Sequence, residues 1–288
     1  MTEILFSGPV AVLGTGIIGA AMARVLARSG AAVRARNRTP DKLAGLAADG
    51  VTVCADAAAA VQGAAVIVTA LTDGPATQAV LDLARPGLIP GQVWAQTGTV
   101  GPQATDALAV QADALGLVFY DAPVLGTRQP AEQGTLTVLA AGPERGRAVV
   151  EPVFDAIGQR TLWVADQPGA ASRLKLALNA YVFALPHGTA ETLRIAGALG
   201  VDPALVMEAV RGGPLDSGYF QGKGAAMLAG DFTTSFTVDN GAKDTRLVLE
   251  ALAGTGLRAD LAEAGLARFL RASAAGHGSD DIAATVVA

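Results

Sequence analysis

Val10-Ala11-Val12-Leu13-Gly14-Thr15-Gly16-Ile17-Ile18-Gly19-Ala20-Ala21-Met22 starts as a strand and ends as a helix, with three glycines at the switch. Val10–Leu13 is a short, wholly apolar run, the pattern of a strand buried on both faces. Met22, Val25 and Leu26 recur at helical spacing and place an apolar face on the segment that follows. Between them, Gly14, Gly16 and Gly19 have the spacing GxGxxG. The first permits a tight turn, the second lets the backbone approach a pyrophosphate, and the third lets the helix pack closely on the sheet. The N–H groups of Ile17, Ile18 and Gly19 open the helix and favour an anion. An Ala/Gly-rich chain can produce this spacing by chance, but here it lies between strand and helix, the context that a dinucleotide site requires.

The next strand end distinguishes two cofactors. An NAD site usually carries an acid there, on the ribose hydroxyls, about 20 residues after the loop. This chain reads Arg36-Asn37-Arg38-Thr39 instead. A carboxylate would repel a 2′-phosphate, whereas Arg38 suits one through a forked, charge-assisted contact. Asn37 and Thr39 add hydrogen-bonding groups, so the expected cofactor is NADP(H).

Further along, apolar runs alternate with amphipathic segments. Ala32–Ala35, Ala65–Ala70, Val93–Ala95, Val118–Tyr120 and Leu136–Ala140 read as strands, and Gly19–Arg28, Asp41–Ala48 and Pro102–Leu115 as helices. Such alternation predicts a mostly parallel sheet covered by helices. Beyond Gly169 long Ala/Leu-rich segments take over, beginning with a helix of roughly two dozen residues. The boundary is placed near Val164-Ala165-Asp166-Gln167-Pro168, giving an α/β domain over 1–165 and an all-helical domain over 166–288. With 288 residues, 51% of them hydrophobic and 16% charged, the chain has ample material for two cores.

The net charge of −5 argues against a nucleic-acid binder, which needs a basic surface. Cys54 is the only cysteine, so neither an intrachain disulfide nor a cysteine-based zinc site is expected, and the distant His187 and His277 make a weak case for any metal. The start of the chain carries Glu3 and no basic segment, unlike a signal peptide, and the longest uncharged stretch, 86–105, is broken by Gly and Pro. These features point to a soluble protein of a reducing compartment, the cytoplasm, with no membrane or nucleic-acid partner.

Lys175 stands in the otherwise apolar stretch Leu174-Lys175-Leu176-Ala177-Leu178-Asn179 of the long helix. Lys175 and Asn179 are four residues apart and share a face. Hydride transfer to a carbonyl leaves an oxygen that must gain a proton; a lysine ammonium can donate it, and the neutral amine can take it back in reverse. Burial and the positive ring of an oxidised nicotinamide both lower a lysine pKa toward that use. Asn179 suits a hydrogen bond to the substrate. By pattern alone, a lysine snorkelling from a helix explains Lys175 as well. His187, beside Pro186 and well round the same helix, reads as a structural or interface residue near a kink.

The chain resembles the β-hydroxyacid dehydrogenase family, which includes 3-hydroxyisobutyrate dehydrogenase and the glyoxylate/succinic semialdehyde reductases. The resemblance runs nearly end to end through Gly14–Gly19, Asn37-Arg38-Thr39-Pro40-Asp41-Lys42, Asp121–Thr127, Gly134-Thr135-Leu136-Thr137, Lys175 with Asn179, Met227–Phe232 and Lys243-Asp244. It implies a Rossmann-like first domain, a helical second domain that builds much of an oligomer interface, and an active site in the cleft between them. It implies a homodimer or homotetramer acting on a small molecule, with Lys175 as proton donor. It also assigns Lys243, Thr99 and Leu71 to the cofactor.

Leu125, Gly126 and Thr127 stand where many members carry Ser-Gly-Gly on the substrate carboxylate, and Gly98 where a serine is common. The departures suggest a more apolar pocket, or one that grips its acid differently. The expected activity is therefore NADPH-dependent interconversion of a small carbonyl acid and its hydroxy acid. An imine reductase is a second reading, weakened by the presence of Lys175, and a cofactor-binding module without turnover is a third.

Overall fold

The computed structural model describes residues 4–288, so Glu3 lies outside the described residues. The chain forms two compact units, one ending at Lys175 and one beginning at Leu176.

In the first unit the strands are β1 (Val10–Leu13), β2 (Val33–Arg36), β3 (Thr52–Val53), β4 (Val66–Thr69), β5 (Val93–Gln96), β6 (Val118–Asp121), β7 (Val124–Leu125), β8 (Leu136–Ala141) and β9 (Gly158–Ala165). They form one sheet in the order β3-β2-β1-β4-β5-β6-β8-β7, with β9 on β8. Pairing is parallel from β3 through to β6 and antiparallel where β8 joins β6 and β7. The helices are α1 (Ile17–Arg28), α2 (Ala57–Val61), α3 (Gly74–Ala84), α4 (Pro102–Ala114), α5 (Arg128–Gln133) and α6 (Arg147–Ile157), and then α7 (Ala170–Ala198) begins.

Alternation along β1 explains its apolar run. Val10 and Val12 enter one buried cluster with Met22, Leu26 and Phe154, while Ala11 and Leu13 enter another with Leu81, Trp94 and Leu108. Helices cover both faces of the central strands, so a polar side chain buried there needs a partner. Trp94 obeys the same constraint: its buried indole Nε1 donates to Thr69 Oγ1 at 2.9 Å.

Register aligns the strand ends. Leu13 is opposite Arg36 on one side and Thr69 on the other, Thr69 is opposite Gln96, and Gln96 is opposite Asp121. The loops after β2, β1, β4, β5 and β6 therefore leave one edge of the sheet side by side.

One expected helix is absent. Over 41–48 the chain makes only a 3-10 turn, Pro40–Leu43, followed by further turns, because Gly45 takes φ 79° and breaks helical geometry. α7 runs 29 residues, longer than expected, and continues through Pro186.

The second unit holds the rest of α7, with α8 (Ala204–Val210), α9 (Gly218–Ala229), α10 (Val238–Leu252) and α11 (Asp260–Ala272). Phe183, Val238, Phe269 and Ile282 form one buried cluster, and Ala190, Leu193, Met207 and Met227 another. Asp281 ties the last segment in place, pairing with Lys223 Nζ at 2.5 Å and accepting from Ser235 N and Oγ at 2.9 and 2.6 Å. Burial pushes its carboxyl up, but hydrogen bonds from Lys223, Ser235 and Ala283 outweigh burial and hold its pKa below the usual value. Among the described residues, no helix is long and apolar enough to cross a membrane.

Candidate active site

The glycine loop lies at the point where the strand order reverses, between β1 and β4, and there its three glycines have three different surroundings. Gly14 takes φ 95°, and a Cβ on it would lie 2.5 Å from the Ala70 carbonyl oxygen and 2.8 Å from Leu71 Cδ2. A Cβ on Gly19 would collide with the Gly14 carbonyl oxygen, so α1 can sit this close to the loop only with glycine there. At Gly16, by contrast, a Cβ would meet nothing within 4 Å. Space is open over the second glycine, where a pyrophosphate needs access to backbone. No side chain caps α1 and its first turn carries no acid. The N–H groups of Ile17 and Ile18 thus face that space with a favourable helix dipole.

The Arg36–Thr39 turn is the immediate neighbour of this loop, with Gly14 N donating to Arg36 O at 3.0 Å. Asn37 Oδ1 accepts from Thr39 N at 2.9 Å, which shapes the turn, and Arg36 Nη1 donates to Asn37 O. Arg38 and Thr39 are exposed. Thr15, which the pattern passed over, is buried and donates from Oγ1 to Lys42 O at 2.8 Å, tying the glycine loop to this turn.

Leu71 follows β4 and packs against Gly14, while Thr99 follows β5 after a rigid turn. In that turn Gln96 Oε1 accepts from Gly98 N at 2.7 Å and Gln96 Nε2 donates to Gly98 O at 2.8 Å. A Cβ on Gly98 would lie 2.5 Å from Leu71 O, which accounts for glycine at this position in the present chain.

Leu125, Gly126 and Thr127 belong to a hairpin at the other end of the sheet order. Half-buried Leu125 pairs with Thr137, Gly126 takes φ 137° against Leu136 and Pro130, and Thr127 begins α5. Glycine at 126 is thus required by backbone conformation as well as by space.

Lys175 lies on α7 and is 8% exposed; Asn179, one turn later, is 2% exposed. Sequence reasoning missed what holds the start of α7. Asp121, wholly buried at the end of β6, accepts from Gly169 N at 3.0 Å, from Ser172 N at 2.8 Å and from Ser172 Oγ at 2.6 Å. Burial pushes its carboxyl up, while the bonds from Ser172 and Gly169 favour the anion. Asp121 stands in a quoted motif, but its partners lie about 50 residues on, beyond the reach of any spacing rule.

In the second unit Asp244 joins two expected site residues. Its Oδ2 accepts from Asn179 Nδ2 at 3.0 Å, and its Oδ1 lies 2.5 Å from Lys243 Nζ. The carboxylate is 5% exposed and the lysine side chain 24%, so this is a half-buried pair and not a solvated one.

A mostly parallel sheet with a glycine loop at its switch point, followed by a helical unit, defines a dinucleotide-binding architecture, and similarities to known proteins make this an NAD(P)-dependent oxidoreductase. Residues 9–165 match the family described as the NAD binding domain of 6-phosphogluconate dehydrogenase. Residues 169–288 match the NAD-binding domain of NADP-dependent 3-hydroxyisobutyrate dehydrogenase. Among similar proteins, an L-threonate dehydrogenase of Cupriavidus necator is 29% identical over 96% of this chain and 94% of its own. Glyoxylate/succinic semialdehyde reductase 1 of Arabidopsis thaliana is 27% identical over 97% of each chain. A crystal structure of 3-hydroxyisobutyrate dehydrogenase from Salmonella typhimurium superposes with a TM-score of 0.90 at 26% identity, covering 98% of this chain and 99% of that one. The chain belongs to the β-hydroxyacid dehydrogenase family.

Proposed function

We propose that this protein reduces a small carbonyl acid, an aldehyde or semialdehyde, with NADPH, and oxidises the corresponding hydroxy acid in reverse. The observation that carries this reading is Lys175, an almost fully buried lysine one turn from Asn179 on α7. A buried ionisable side chain is held in one place instead of reaching for solvent, and such groups cluster at active sites, which favours a chemical role over snorkelling. The named activities of the Cupriavidus and Arabidopsis relatives support the same substrate class.

The glycine loop over Gly14–Gly19 suits the pyrophosphate, and Asn37, Arg38 and Thr39 suit a 2′-phosphate, which favours NADPH. Leu71, Thr99 and Lys243 complete the assigned cofactor contacts. When bound there, a nicotinamide would supply the hydride. The Lys175 ammonium gives its proton to the carbonyl oxygen as that oxygen gains charge, leaving a neutral amine to be reprotonated from solvent. Asn179 is oriented by its bond to Asp244, so its remaining polar atoms are presented in one direction. Leu125, Gly126 and Thr127 line the substrate side, and the working form is a homodimer or homotetramer.

NADPH oxidation by the purified protein tests the reading, with glyoxylate, succinic semialdehyde and methylmalonate semialdehyde offered in turn. Turnover of one of them, reduced at least about 100-fold in Lys175→Ala, is expected. Equal rates in the variant would remove Lys175 as proton donor.

A further inference from the structure

We propose that Asp121 and Ser172 are positioning residues for Lys175, fastening the first turn of α7 to the edge of the sheet from which the cofactor loops emerge. The proposal rests on the reading of Lys175 as proton donor.

An ordinary helix start is capped by the residue just before it. Here that position is Gly169, at φ 98°, which has no side chain to offer. The cap comes from Asp121 instead, through three hydrogen bonds that satisfy two backbone N–H groups and one hydroxyl. A cap borrowed from another element does more than satisfy donors, because it fixes where the helix begins relative to that element. Thr105, at the start of α4, lies against the same site: its hydroxyl is 2.9 Å from both Ser172 Oγ and Gly101 O, and its one proton goes to one or the other, since Ser172 gives its own to Asp121. Asp121, Thr105 and Ser172 are 0%, 0% and 4% exposed. Water therefore competes little for these bonds, and their geometry is held firmly.

Lys175 comes one turn after Ser172, on the neighbouring part of the helix surface. Helical side chains lean toward the helix N-terminus, so the turn that Asp121 grips is the one over which the Lys175 side chain extends. Asp121 is in register with Gln96, whose amide clasps Gly98 just before Thr99. One strand edge thus sets both the loop assigned to the cofactor and the start of the helix that bears the proton donor. Proton transfer needs heavy atoms within hydrogen-bond reach, and a displacement of about 1 Å can cost a hundredfold in rate.

The test compares Ser172→Ala, Ser172→Thr and Asp121→Asn, with Ser172→Ala also placed in a Lys175→Ala background. Succinic semialdehyde and glyoxylate serve as activity probes, and hydrogen exchange across residues 169–178 is followed in the purified protein. Ser172→Ala is expected to lower kcat about tenfold while the KM for NADPH moves less than about twofold. Ser172→Thr, which keeps the hydroxyl, restores most of the rate. In the Lys175→Ala background, Ser172→Ala changes the residual rate by less than about twofold. Amides of the first turn exchange about fivefold faster in Ser172→Ala and Asp121→Asn than in the parent protein.

An equal loss of rate in both backgrounds would show that Ser172 acts otherwise than through Lys175, and unchanged exchange would show that the clamp does not hold the turn. Either result overturns the proposal. Full activity in Lys175→Ala alone would instead remove the lysine reading, while exchange would still decide whether Asp121 anchors α7.

Discussion

Arg38 is exposed, on the turn next to the glycine loop. Exposure weakens a charge contact, but a forked guanidinium on a doubly charged phosphate is stronger than an ordinary surface pair. Arg38→Ala should therefore raise the KM for NADPH about tenfold and leave NADH within about twofold; steady-state kinetics with both cofactors checks this. A parallel rise for both would detach Arg38 from the 2′-phosphate. Leu125 is half-buried on β7, at the position where the family resemblance implies a serine hydroxyl. Leu125→Ser should raise kcat/KM for a small carboxylated aldehyde, and an unchanged value would mean that the side chain does not line the pocket. Serine at 98 has no such prospect, since its Cβ would press on Leu71 O. The identities of Arg38 and Leu125 were legible from the chain alone, but the constraint on Gly98 needed the neighbouring strand in place.

The β1–loop–α1 element was almost fully legible, because its signal is local: an apolar strand, a turn that needs glycine, and an apolar helix face. Gly19→Ala tests the closest contact in it. A methyl there meets the Gly14 carbonyl, so the helix or the loop must move, at a cost of about 1–3 kcal/mol. Denaturant unfolding should register that loss, and NADPH affinity should fall with it. Gly16→Ala, where nothing lies within 4 Å, should keep its stability while losing cofactor affinity. Comparable unfolding midpoints in the two variants would contradict the packing role of Gly19. The helix expected over 41–48 failed for a local reason as well: apolar spacing outweighed Gly45 in the reading, whereas the backbone obeyed the glycine.

At the scale of the whole molecule, the burial of His187 should make folding sensitive to acid. It lies against Phe269, with ring centroids 4.3 Å apart, in a recess lined by Phe183, Thr245, Val248 and Leu261. Burial, then the charges of Arg268 and Arg271, lower its pKa from 6.5 to about 4. The folded state keeps the ring neutral, while the unfolded chain takes up a proton below about pH 6.5. Its contribution is complete above that pH and is lost as pH falls toward 4, by up to about 3 kcal/mol. The melting temperature should therefore fall across this window, and less steeply in His187→Gln. Identical slopes would assign the acid sensitivity to carboxylates such as Asp281.

Everything that depends on near neighbours could be read along the chain: the α/β unit, the glycine loop, the basic turn after β2, and a lysine and an asparagine on one helix face. Strand period, helix period and turn chemistry act over a few residues, so they can be read in a line of letters. How those pieces are held emerges from packing. Thr15 bonds to the Lys42 carbonyl, Asp121 caps a helix that begins some 50 residues later, and Asp244 links Asn179 to Lys243. Each of these buried polar groups takes at least one partner from a distant part of the chain. Burial makes such a partner necessary, but which group supplies it depends on how the elements pack.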